Sequence, residues 1–310
     1  MASDIVESYI HPMGIRGSAS IGRATLLIVV SALSFGSISV LTVLTTGAGV
    51  PLLTAMAWRY VMGAVMLGVT LRTGTRQPTS RRRAFQLLLI GGCGQALITY
   101  LSLYALEYIP VGPLAFLFYT YPAWVATLAA IRRTETLTPA RIIALVIALA
   151  GVAIMVGMPT EKLSPVGVAL ALGSALLYSA YLPALEHVQE GVPALFATFL
   201  LIVGAAIAFV VAAIFTGQLF VPSGARVWTN IFLLAFVSTA IAFTSLIKGL
   251  SVLGPVRTSI VATVEPFFTA ILGVVVLRNT FNTSTLVGGV LIAVAILLIE
   301  WSSARRAVTA

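Results

Sequence analysis

Apolar residues run along this chain in long blocks separated by short polar stretches. Ten blocks stand out, over about 24–46, 51–71, 84–105, 112–131, 139–157, 165–185, 192–216, 228–250, 256–277 and 283–301. Each is near the ~20 residues that an α-helix needs to cross ~30 Å of hydrocarbon. The connections are short, so the pattern predicts one bundle of ten helices with no soluble domain. The third and fourth helices, and the eighth and ninth, are the hardest to separate. Some twenty mostly polar residues precede the first block, which is long enough to span, so no signal peptide is expected. Residues 3–10, SDIVESYI, are expected to form either a short interfacial helix capped by Ser3 or Asp4, or a disordered tail.

Composition agrees with a lipid solvent. The 310 residues are 59% hydrophobic and 9% charged, against roughly 25% charged in soluble domains, and the mean hydropathy is +1.08. Lys and Arg number 18 against 9 Asp and Glu. They sit between the apolar blocks, which points to a membrane topology signal and not to nucleic acid. With the N-terminus inside, the inner side holds Arg16, Arg23, Arg72, Arg76, Arg81, Arg82, Arg83, Arg132, Arg133, Arg141, Lys248, Arg257, Arg305 and Arg306. The outer side holds Lys162, Arg226 and Arg278, with Arg59 left inside helix 2. That bias places both termini in the cytoplasm, and the expected location is a bacterial cytoplasmic (inner) membrane. One cysteine, Cys93, makes no intrachain disulfide, and His11 and His187 make no metal cluster.

The chain repeats itself. Shifted by 144 positions, PVGPLAFLFYTYPAWVATLAAI (110–131) lies over GPVRTSIVATVEPFFTAILGVV (254–275). Pro122 then meets Pro266, Ala126 meets Ala270 and Leu128 meets Leu272. TETLTPARIIALVIALAGVAIMV (134–156) follows over 278–300 without a gap, and ALSFGSISV (32–40) echoes ALLYSAYLP (175–183) more weakly. Five helices per half is an odd number, so the halves must be oppositely oriented. Inverted repeats are a recurrent plan of transporters, with the substrate site between the repeats near mid-membrane. The expected architecture is an all-α integral membrane protein, ten helices as two inverted five-helix repeats around a central cavity. A cytoplasmic tail over 1–22 leads into repeats over 23–157 and 158–301, and a second tail covers 302–310.

The segments ALEYIPVGPLAFLFYTYP, SLIKGLSVLGPVRTSIVATVEP and TETLTPARIIALVIALAGVAIMV, with ALSFGS at 32–37, resemble the EamA family of the drug/metabolite transporter superfamily over about 23–300. Within that family the pattern is most like that of the bacterial aromatic amino acid exporters. The resemblance implies a ten-helix basket, a central cavity and export from the cytoplasm. It also implies substrate contacts from aromatic residues near the helix 4 proline and on helix 6, which here are Tyr119, Tyr121 and Tyr178. Such exporters carry tryptophan before that proline, where this chain has Tyr121.

The residues themselves point the same way. Pro122 and Pro266 lack an N–H, so the carbonyls of Phe118 and Ala262 lose their usual donors and become acceptors for an ammonium group, or the prolines simply kink their helices for packing. Tyr119 and Tyr121 point about 200° apart on a regular helix, so both face one cavity only if the helix opens at Pro122. Tyr178 and Tyr181 share a face of helix 6, as do Tyr100 and Tyr104 on helix 3. Gln95 offers a donor and an acceptor nearby, and Tyr108 belongs to the interfacial belt. Glu265 is the one acid well inside a span. It is suited to binding an ammonium, carrying a coupling proton or pairing with a base. Arg59 is the matching base, suited to a carboxylate, to structural pairing or to snorkelling. The small residues Gly167, Ala171, Ala175 and Ser179 read as a packing stripe.

These features favour a secondary transporter exporting small organic solutes by alternating access, most of all aromatic and other neutral amino acids. The alternative is an exporter of drugs or other cationic metabolites. A pump is disfavoured because no GxxxxGK[ST] loop occurs. A polytopic membrane enzyme is more distant, since the only aspartate is Asp4 and no carboxylate cluster could hold a metal. A channel would need a filter-like loop or an acidic ring, and neither is seen. The partners implied are an amino acid substrate and the lipid bilayer. No cofactor and no nucleic acid is implied, and a monomer suffices.

Overall fold

A computed structural model describes residues 18–72, 79–109, 111–135, 137–157, 163–278 and 283–309. Helix α1 spans Ser18–Thr46 and α2 Leu52–Arg72. Helices α3 (Arg81–Leu89) and α4 (Ala96–Tyr104) are joined by a π-helical turn, Ile90–Gln95. Then come α5 (Val111–Phe118), α6 (Tyr121–Arg132), α7 (Pro139–Val156), α8 (Pro165–Gln189) and α9 (Ala194–Phe215). Helices α10 (Ala225–Ala235) and α11 (Ala242–Ala262) are joined by a second π turn, Phe236–Ile241, before α12 (Glu265–Leu277) and α13 (Thr283–Thr309).

Local chemistry explains several ends. Ser80 caps α3 by accepting from the Arg83 N–H, and Thr138 caps α7 in the same way from Arg141, with Pro139 in the first turn. Helices α6 and α12 stop within one position of each other under the 144-residue offset, at Arg133 (φ 54°) and Arg278 (φ 57°), both left-handed.

Eight helical stretches are long and apolar enough to cross a membrane, and Glu265–Val276 and Thr283–Ile299 are shorter apolar helices. The 38-residue stretch Ala225–Ala262 is two crossings. Gly254 has φ 76° and ψ 168°, which no continuing helix passes through, and Pro255 follows. The eighth crossing therefore ends at Leu253. The ninth consists of Pro255–Ala262 and α12. Ten crossings result, in an all-helical integral membrane protein built as two repeats.

Three features depart from the expected elements. The fourth and ninth crossings are each two helices, not one kinked helix. The third and eighth carry matching π turns, which apolar periodicity does not reveal. Helix α13 continues to Thr309, through the expected tail. The expected helix at 3–10 and the topology charges Arg16, Arg76 and Lys162 lie outside the described residues.

The halves pack through symmetry-related pairs. Helix α2 packs on α9 and α7 on α13, while α1 lies against α10–α12 as α8 lies against α3–α6. Two close approaches need glycine. A Cβ on Gly91 would overlap the Leu201 carbonyl, and one on Gly204 would overlap the Leu88 carbonyl. The small stripe of α8 packs as expected: Ala171 and Ala175 are fully buried, and Gly167 lies against Tyr108 and Ile109.

Candidate functional site

The stretch FLFYTYPAWV is where the fourth crossing breaks. Helix α5 ends at Phe118, Tyr119 and Thr120 form a turn, and α6 starts at Tyr121 with Pro122 in its first turn. Proline's missing N–H costs nothing there. The ninth crossing breaks at the equivalent point: Thr263 and Val264 turn, and Glu265 and Pro266 open α12. In each break a threonine hydroxyl takes up a carbonyl, Thr120 Oγ1 to Leu117 O and Thr263 Oγ1 to Ile260 O, both at 2.7 Å.

The break turns Tyr119 and Tyr121 to the same side, with ring centres 6.1 Å apart. Phe118 stands 5.5 Å from Tyr119, 5.4 Å from Tyr121 and 5.6 Å from Tyr178. Tyr178 meets Tyr121 edge-on, at 4.7 Å and 90°. These four rings form one wall of a cavity of about 330 Å³. Phe116 and Trp124, from the same stretch, point outward and are exposed.

The cavity lies between the repeats. Its lining extends toward one end of the bundle, where Leu114, Val156 and Thr285 stand near helix termini and which is taken as its mouth, and at its other limit holds Tyr121, Tyr178 and Glu265. Glu265 is positioned by α1. Thr269 Oγ1 donates to the Gly36 carbonyl at 3.0 Å and lies 3.1 Å from the Glu265 carbonyl oxygen. A Cβ on Gly36 would come within 3.1 Å of that oxygen, so glycine lets α12 approach. Tyr119 and Glu265 both line the cavity.

Arg59 lines the same cavity but is not paired with Glu265. Its Nε donates to Thr239 Oγ1 at 2.8 Å and its Nη2 to the Ser238 carbonyl at 2.9 Å, which braces the second π turn. The guanidinium also sits 4.9 Å from the Tyr60 ring centre. A guanidinium has five N–H donors, so some remain for a ligand. Gln95 Nε2 donates to Thr99 Oγ1 at 2.9 Å, while its Oε1 is buried without a partner. Both residues line the cavity. Replacing Arg59 by methionine keeps the volume but strands the Ser238 carbonyl. The expected cost is about 2–4 kcal/mol, visible as a lower melting temperature in detergent, and Arg59→Lys should recover only part of it because lysine lacks the fork.

Of the residues singled out from sequence, Tyr119, Tyr121, Tyr178, Gln95, Glu265, Arg59 and Pro266 line the cavity. Tyr181, Tyr100 and Pro122 do not. Tyr181 stacks behind Tyr178 at 5.6 Å, against Gly94. Tyr100 stacks on Tyr104 at 5.4 Å, and Tyr104 leads on to the exposed Tyr108. That ladder occupies another face of the third crossing from Gln95 and Thr99. Pro122 is buried in the helix start, so the two prolines are not equivalent. Sequence reasoning passed over Phe35, Thr269 and Thr285 as wall residues, and did not single out the Phe118 ring among the substrate contacts. One signal existed: laying 32–40 over 175–183 puts Phe35 on Tyr178.

Comparison with known proteins follows the same division into halves. The chain matches the EamA-like transporter family twice, over residues 22–157 and 165–301. No match was found among curated proteins. A solved crystal structure, 20% identical in sequence, is similar with a TM-score of 0.75 over 91% of this chain and 98% of that one. At that identity the likeness shows the fold alone. The doubled match covers both repeats and all ten crossings, and the chain belongs to the EamA-like transporter family.

Proposed function

We propose that the protein is a secondary transporter that exports neutral amino acids, aromatic ones foremost, across a bacterial cytoplasmic membrane by alternating access. One observation carries this reading: a single cavity holds an acid and a base that are not paired with each other, beside a wall of four aromatic rings. A zwitterion supplies both counter-charges at once, its ammonium to Glu265 and Gln95 Oε1 and its carboxylate to the spare donors of Arg59. An aromatic side chain stacks on the rings. A volume of about 330 Å³ lies within the usual range of small-molecule sites, roughly 300–1,000 Å³.

The basic residues at the ends of α2 and α6, at the starts of α3 and α7, and on either side of the Gly254 break in α11 (Lys248 and Arg257) lie at the end of the bundle opposite the mouth. Under the excess of positive charge inside, both termini are cytoplasmic and the cavity faces outward. A lipophilic cation is the second reading, because Glu265 stands among tyrosines while Arg59 is already held by Thr239 and Ser238.

Purified protein in liposomes separates the two. Labelled phenylalanine, threonine or methionine should be taken up, with competition by other amino acids. Transport of cationic dyes alone would sink the amino acid reading. Tyr121→Ala and Tyr178→Ala should each slow phenylalanine transport about tenfold, the loss of one well-placed aromatic contact. Wild-type rates in folded variants would remove the aromatic wall from the site.

A further inference from the structure

An inverted-repeat transporter reaches its second state when the two repeats exchange roles. The 144-residue offset therefore shows which residues would line a cavity at the opposite end. Leu114 and Ala115 line the present cavity. Their counterparts, Thr258 and Ser259, are 1% and 0% exposed. Ser102 and Leu103 line it too, and their counterparts Leu246 and Ile247 are buried. In the first and sixth crossings the 32–40 and 175–183 segments align, so Ile38, another wall residue, corresponds to Tyr181, which is buried. The counterparts of an open wall are packed shut. Two of them fit poorly in a sealed core: the hydroxyls of Tyr181 and Thr258 are buried without a hydrogen-bond partner. Such groups are costly unless another conformation uses them.

The same end carries a tie between the repeats. Glu135, in the α6–α7 connection, accepts from the Val256 backbone N–H at 3.2 Å and pairs with Arg141 Nη1 at 3.0 Å. Its carboxylate lies against Gly254, where an added Cβ would stand 3.2 Å from Oε1. Val256 opens the helical piece that runs through Thr258 to the Glu265 break. The second repeat does not repeat these side chains in sequence: at the same offset Asn279 stands for Glu135 and Thr285 for Arg141.

We propose that the substrate path continues past Tyr178 along Tyr181 and Thr258, that this half is shut in the present conformation, and that Glu135 is the latch that holds it shut. The proposal rests on the transporter reading but not on which substrate is carried. Losing the latch shifts the population toward the state open at the other end.

Cysteine labelling tests it, because Cys93 is the only native cysteine. In a Cys93→Ala background, Ala115→Cys, at a part-exposed wall position, should react readily with a maleimide and Thr258→Cys slowly. Adding Glu135→Gln should speed Thr258→Cys labelling about tenfold, as expected for loss of a charge-assisted contact, and slow Ala115→Cys. Fast Thr258→Cys labelling before the latch is removed would overturn the shut half-path. No acceleration by Glu135→Gln, in protein that melts like its parent, would overturn the latch. If Glu135→Gln lowers the melting temperature, Glu135→Asp, whose shorter side chain withdraws the carboxylate from the Val256 N–H, replaces it, with the same two outcomes. No substrate enters the assay, so a failure of amino acid transport in liposomes leaves its result standing.

Discussion

Glu265→Gln protein in liposomes is expected to move labelled phenylalanine about 100-fold more slowly than wild type. That factor is the lower part of the range for truncating one partner of a buried charge pair. The variant should keep its fold. Glutamine has nearly the same shape, and Thr269 holds the peptide carbonyl, not the side chain. What disappears is the negative charge opposite a substrate ammonium. A substrate without an ammonium, such as phenylpropionate, should therefore be far less affected by the substitution. Equal losses for both compounds would assign Glu265 to packing, and unchanged phenylalanine transport would remove it from the site. Repeating the assay across a pH gradient reads a second property. If a gradient drives the wild type and not Glu265→Gln, the carboxyl group also carries the coupling proton.

The second large effect concerns stability. Gly91→Ala and Gly204→Ala should each lose at least the ~1–3 kcal/mol typical of overpacking, and much of the protein should fail to fold. At both positions the obstacle is a backbone carbonyl of the facing helix, Leu201 or Leu88. A backbone cannot swing aside as a side chain does. Gly173→Ala is the control, since nothing lies within 4 Å of a Cβ there. It should be neutral or gain slightly from alanine's higher helix propensity. Gly91→Ala should also harm transport in whatever protein survives. Gly91 sits in the π turn that sets the rotation of Gln95 and Thr99, and a shift there turns both away from the cavity. Equal melting temperatures for Gly91→Ala and Gly173→Ala would show that the third and seventh crossings do not meet as closely as described.

Much of this was legible in the chain. Lipid selects long apolar blocks, because a backbone in hydrocarbon must satisfy its own hydrogen bonds. Ten blocks therefore read directly as ten crossings. The ungapped 144-residue match with Pro122 over Pro266 revealed the repeat, and the parity of five helices made it inverted. The pair of tyrosines two residues apart carried a conditional: both could serve one cavity only if the helix opened, and it does, between Phe118 and Tyr121. Tyr181 and Tyr100 show where such reasoning stops. A shared helix face says that two side chains are neighbours, not which of them meets the cavity. Tyr181 faces Gly94 of another crossing, a contact that no spacing predicts, while Tyr100 stacks on Tyr104, the neighbour expected to share its face, and that face is not the one that meets the cavity.

Arg59 makes the division clear. From sequence it was one cation inside a span, equally suited to a substrate, a structural partner or a snorkelling path. Its two firm hydrogen bonds go to residues 179 and 180 positions away, in a π turn whose sequence, FVSTAI, has no glycine or proline to mark it. The amino-acid sequence by itself determined the solvent, the number of crossings and the inverted doubling, because each follows from local hydropathy, from the ungapped match or from the parity of five helices. Only the tertiary structure decided which rings face the cavity and that Glu265 and Arg59 line it without pairing with each other. Those outcomes depend on helix rotation and on backbone approaches between crossings far apart in the chain, and periodicity within one helix carries no information about either.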